Sequence, residues 1–176
     1  MVKRRFISGL AITSILVIGI WLPGSVPEAT AETLNLKFFT HVTKMEMVPI
    51  SDVEGHFIGV SVREGVTVFE NGELAWVKAA LILDLTKGAG TFDSYATYTV
   101  TDGSTFTVRN KGTMEATPQG VSLGAKRTGD IIHGTGRFQG IKGTITSSTK
   151  LLPSEKGEMG GKALSEGTLV YTLPSK

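Results

Sequence analysis

The sequence contains no cysteine. Disulfide frameworks, thiolate chemistry and a lipid anchor through an acylated cysteine are thereby excluded. Histidine is scarce: His41, His56 and His133 fall on three separate segments with no short metal-type spacing. Scattered polar histidines are the simpler reading, and a zinc site assembled from three strands stays open beside it. Charge is sparse at 19%, aromatics make up 7%, and beyond residue 31 no segment sustains a capped helical period. The lack of helices matters for two motifs. Gly134-Thr135-Gly136 with Gly140 comes near a dinucleotide fingerprint, but that fingerprint needs a helix N-terminus for the pyrophosphate. Gly120-Val121-Ser122-Leu123-Gly124 matches G-x-S-x-G, which works only on a strand-to-helix elbow. Both read better as strand and turn residues.

One long apolar run is present, at the beginning. Met1-Val2-Lys3-Arg4-Arg5 precedes Phe6 to Leu22, which is interrupted by Ser8, Gly9, Thr13, Ser14 and Gly19 and followed by Pro23-Gly24. This is the layout of a cleavable signal helix, and Ala29-Thr30-Ala31 places the cut before Glu32. A spanning helix needs about 20 predominantly apolar residues, so no stable membrane anchor is expected after cleavage. General secretion is the default route; Lys3-Arg4-Arg5 also weakly resembles a twin-arginine signal. Either route leads to the periplasm or the exterior. The leader, 1–31, takes three of the 18 basic and one of the 16 acidic residues, leaving a 145-residue domain, 32–176, with 15 of each. A neutral domain gives no case for nucleic acid as a partner.

That domain reads as strands separated by turns, an all-β chain. Leu34 to Met47 has apolar residues on both faces and is expected to end at Pro49. Gly55 to Arg63 follows, then a turn at Glu64-Gly65 and a short run from Val66 to Phe69. Asn71-Gly72 predicts a type I′ hairpin turn into Leu74–Thr86, where a helix also remains drawable. Further strands are expected over Thr91–Val100, Ser104–Ala116, Val121–His133, Arg137–Leu151 and Ala163–Leu173, with a loop from Pro153 to Gly161. Glycine makes up 19 of the 145 residues, about 13% against a usual 7%. Eight short strands rich in glycine point to a single closed antiparallel barrel, which leaves no exposed edges. An open Greek-key sandwich is the alternative.

The most informative stretch is Asp130 to Gly143, DIIHGTGRFQGIKG. Gly134, Gly136, Gly140 and Gly143 with Phe138 resemble the glycine-rich GTGxFxGxxG strand signature of the allene oxide cyclase and dirigent superfamily. Thr101-Asp102-Gly103-Ser104-Thr105 is similar to its G-S-T turn. The resemblance spans about Gly55 to Leu173 and implies an eight-stranded, calycin-type barrel that handles apolar small molecules without a cofactor. It also implies association of barrels through their outer faces, leaving a homo-oligomer open. The glycines are then structural, and no catalytic residue can be assigned.

Candidates for orienting a ligand are polar or aromatic side chains on otherwise apolar strands: Trp76, Lys78, Asp84, Tyr95, Tyr98, Arg109, Glu115, His133 and Arg137. Within a lumen such groups fix a ligand's orientation; outside they are merely solvated. Three functions follow: an exported barrel that binds a small apolar or aromatic ligand, a cofactor-free cyclase, isomerase or dirigent-like protein, and a filled barrel acting as a structural or interaction module.

Overall fold

The computed structural model describes residues 30–119, 121–152, 156 and 161–174. The expected leader up to residue 29, Gly120 and most of the Pro153–Gly161 loop lie outside the described residues. Eight strands close into one antiparallel barrel in sequence order: β1 Glu32–Ile50, β2 His56–Phe69, β3 Leu74–Thr86, β4 Ala89–Val100, β5 Thr105–Ala116, β6 Ser122–Gly134, β7 Lys142–Leu151 and β8 Ala163–Thr172. Closure is made by β1 against β8, from Glu32↔Tyr171 to Thr40↔Ala163. The expected closed barrel is the observed one, and Leu74–Thr86 is a strand.

Several local expectations are corrected. β2 is continuous through Glu64-Gly65, because both residues stay in the β1 ladder opposite His41 and Thr40. Pro49 does not end β1, which pairs on to Ile50. The Asn71-Gly72 turn is not type I′. Only Gly72 has positive φ, and the loop is closed by Gly72 N–H to the Phe69 carbonyl and Phe69 N–H to the Glu73 carbonyl. The segment after His133 is not all strand: Gly136–Phe138 forms a 3-10 helix and β7 begins at Lys142.

Register sets which side chains reach the core. In β1 a bulge between Val42 and Lys44 changes the phase, so Leu36, Phe38, Thr40 and Val42 face inward, as do Met45 and Met47 beyond it. Phe39 therefore faces out, in register with Val66 of β2 and Leu164 of β8, and Val66 in turn pairs with Trp76 of β3. These four form an apolar row across the outer wall. The expectation that β1 is covered on both sides is corrected accordingly, since Phe39 is exposed.

The turns at 70–73, 101–104 and 135–141 gather at one end of the barrel, here the helix end. The C-terminal ends of β1, β3, β5 and β7 lie at the other, the hairpin end.

Candidate functional site

The inner wall changes character along the barrel axis. Toward the helix end it is aromatic and filled. Tyr98 stacks on Phe106 with centroids 4.7 Å apart, and Phe106 meets Phe138 edge-on at 5.2 Å. Phe138 belongs to the 3-10 helix, whose fold-back explains two signature glycines. A Cβ on Gly134 would collide with the Phe138 carbonyl oxygen. Gly136 has φ +58° and lies against Ser104, a conformation that side chains with a Cβ rarely adopt.

Toward the hairpin end the wall is mixed. Leu83, Leu85 and Phe92 form a smaller apolar cluster with Met47, Leu81, Met114 and Ala125 packed against it. Between the two clusters lies a cavity of about 70 Å3, lined by apolar groups such as Phe38, Leu81, Phe92 and Met114 and by two arginines, Arg63 and Arg127. β2 and β6 are four strands apart in the closed order, so the two guanidiniums enter from opposing walls. Arg63 Nε donates to Thr40 Oγ1 at 3.3 Å and its Nη2 to the Gly161 carbonyl at 2.7 Å. Arg127 Nε donates to Ser147 Oγ at 2.8 Å and its Nη2 to the Tyr98 hydroxyl at 3.3 Å, with the guanidinium 4.6 Å above the Phe38 ring.

Every one of these acceptors is neutral. Among the described residues, the ion pairs all lie elsewhere and neither arginine takes part in one. Burial first, and then repulsion by Arg127, pulls the Arg63 guanidinium down to about 10. Three of the four buried side-chain atoms that lack a partner among the described residues stand on the inner face: Ser61 Oγ, Thr67 Oγ1 and Asn110 Oδ1.

Two other concavities are charge-compensated. The helix-end recess, about 240 Å3, includes Arg137, Glu73 and Tyr171. There Arg137 pairs with Glu73, and the Tyr171 hydroxyl donates to Glu32 at 2.6 Å. Burial, then the Glu32 bond, pushes that phenol up to about 12. A groove of about 490 Å3 on the outer wall contains Lys37 and Glu166, paired at 3.0 Å.

Of the side chains expected in the lumen, only Tyr98 is there, fully buried. Trp76 and Tyr95 are 49% and 45% exposed. Lys78, Asp84, Arg109, Glu115 and His133 are exposed too. The strand alternation that puts Ala75, Val77 and Ala79 inside turns Trp76 and Lys78 outward, and Tyr95 and Arg109 face each other on the outside. Lys78 pairs with Glu64 at 2.8 Å, Glu115 with Lys126 at 3.1 Å. His133 sits opposite Thr107 beyond a β6 bulge, beside an outer crevice. Arg137 lies at the helix-end rim. Ser122, the serine of the G-x-S-x-G match, opens β6 and donates to the Gly88 carbonyl at 2.8 Å. His41, His56 and His133 stand apart, and among the described residues no group of three or more His, Asp or Glu is placed to hold a metal.

Arg63 and Arg127 were not among the expected residues. Their signal is positional: each shares its inner face with small residues, Ser61 and Gly65 for one, Ala125 and Gly129 for the other. Small neighbours leave room for a long side chain to cross the lumen.

The shape finds counterparts among solved structures. A pterocarpan synthase dirigent protein, PsPTS1, superposes with a TM-score of 0.54 at 15% identity, over 84% of this chain and 97% of the other. A second, GePTS1, gives 0.52 at 16% identity, over 94% and 100%. The barrel is dirigent-like. This agrees with the resemblance carried by the glycine signature, and at such identity it concerns the fold. No family model and no curated protein matches the sequence.

Proposed function

We propose that this chain is an exported dirigent-like barrel that holds a small apolar or aromatic molecule in the hairpin-end half of its lumen. The observation that carries the reading is the division of the inner wall. One half is closed by the Phe69, Tyr98, Phe106 and Phe138 cluster, whereas the other keeps a cavity bounded by Phe38, Leu81, Phe92 and Met114 with two oriented arginines. Apolar walls with a few fixed polar groups are the usual composition of a small-molecule site. Export rests on the leader-like N-terminus.

The fold likeness favours a second reading, a dirigent-like or cofactor-free cyclase or isomerase role in which the lumen holds a reactive substrate in one conformation. Mass spectrometry of the denatured, freshly purified chain, together with titration of an apolar fluorescent probe, tests the first reading. A stoichiometric small molecule or saturable probe binding is expected. Neither would be found for a filled barrel serving as a structural or interaction module. Turnover of any recovered compound separates the second reading from the first.

A further inference from the structure

We propose that the lumen ligand is a small apolar carboxylic acid, its carboxylate held between Arg63 and Arg127. This rests on the lumen-binding reading above and names the chemistry of its ligand.

The two arginines are anchored in the same manner. Each uses Nε and Nη2 on neutral acceptors, Thr40 and the Gly161 carbonyl for Arg63, Ser147 and Tyr98 for Arg127. Among the described residues, Nη1 of each is left without a protein acceptor. A guanidinium presents five N–H donors in a planar fork, so two anchored forks from opposite walls offer their remaining edges to one shared guest. Anchoring also fixes the geometry before the ligand arrives, which reduces the ordering cost of binding.

Electrostatics selects the guest. Two half-buried cations repel one another, and no Asp or Glu is among the cavity's described lining residues. A buried charge without a counter-charge is unfavourable, and the counter-charge absent from the described wall is what an anionic ligand supplies. Carboxylate matches the planar fork and forms charge-assisted hydrogen bonds stronger than neutral ones. Leu81, Phe92 and Met114 border the same space and receive the apolar remainder. At about 70 Å3 the cavity suits a compact acid with a short apolar body.

The test uses a matched pair of probes small enough for the cavity, propionate and 1-propanol, titrated calorimetrically into the full chain. The acid is expected to bind at least about tenfold more tightly than the alcohol, the factor a charge-assisted pair supplies. Arg63→Met and Arg127→Met should each reduce that preference to about twofold or less. Arg63→Lys keeps the charge but loses the fork, and should weaken the acid alone. Arg109→Gln, on the outer wall, should bind like the parent, and near-ultraviolet circular dichroism confirms that each variant is folded. Equal binding of acid and alcohol would overturn carboxylate recognition and leave lumen binding standing. Inorganic phosphate displacing the acid at equal concentration would overturn the apolar half of the proposal. Binding of neither probe would overturn both readings.

Discussion

Arg63 is charged in a lumen that, among the described residues, gives it only Thr40 Oγ1 and the Gly161 carbonyl as acceptors. Its depressed pKa means that folding disfavours the protonated form; the cost stands in full at neutral pH and is relieved only as pH rises past about 10. Replacing a buried ion by an apolar residue of similar size is often stabilising. Arg63→Met is therefore expected to raise unfolding stability by about 1–2 kcal/mol at pH 7, measured by urea denaturation, while cutting the preference for acids to about twofold or less. A less stable variant would mean that the Gly161 and Thr40 bonds outweigh the desolvation of the charge. Gly136 is the opposite case, a residue whose lack of a side chain is required. Gly136→Ala places a Cβ at positive φ against Ser104, and should cost about 1–3 kcal/mol in the same assay.

At the scale of the element, the loop between β1 and β2 is tied to β3 by His56. Its Nδ1 lies 2.6 Å from Asp52 and its Nε2 3.0 Å from Asp84. The hydrogen bond to Asp52, then that to Asp84, raises the imidazole above its ordinary 6.5, and the bond to His56 lowers Asp52 below 3.8. The histidine's contribution is thus full below 6.5 and is lost as pH rises through the raised value. The Asp52 contribution is full above 3.8 and is lost as pH falls through the lowered value. The tie is strongest between those limits. Thermal unfolding from pH 5 to 8 should show the parent losing stability above 6.5 and His56→Gln losing less, and parallel curves would refute the tie. Elements were the most legible feature of the sequence, because turn residues and alternation punctuate it so regularly. Facing was less so. In β3 the apolar set Ala75, Val77, Ala79, Leu81, Leu83 and Leu85 is the inner set. In β2 alternation misleads: Val60, Val66 and Val68 face out, while Ser61, Arg63 and Thr67 face in. A small barrel interior must fit around neighbouring side chains and can be polar where it holds a site, so alternation alone could not say which candidate residues face the lumen, and of them only Tyr98 does.

At the scale of the whole molecule, closure depends on the first residues of β1. Glu32 through Lys37 pair with β8, and Leu36 opposes Phe69 of β2 while filling the helix-end core. The expected signal cut falls immediately before Glu32, so a chain processed there keeps the whole ladder. A chain beginning at Phe38 would lose six ladder positions on β8, from Glu32 to Lys37, and the buried Leu36 side chain. It would expose part of β8 as an edge, and unpaired edges recruit other chains. The barrel beginning at Glu32 is expected to melt in one cooperative transition as a discrete species. The version beginning at Phe38 should melt at a lower temperature and form larger species in size-exclusion chromatography. Equal melting temperatures and elution would show that the seam between β1 and β8 is not what holds the barrel closed, and that the packed Tyr98 and Phe106 half suffices.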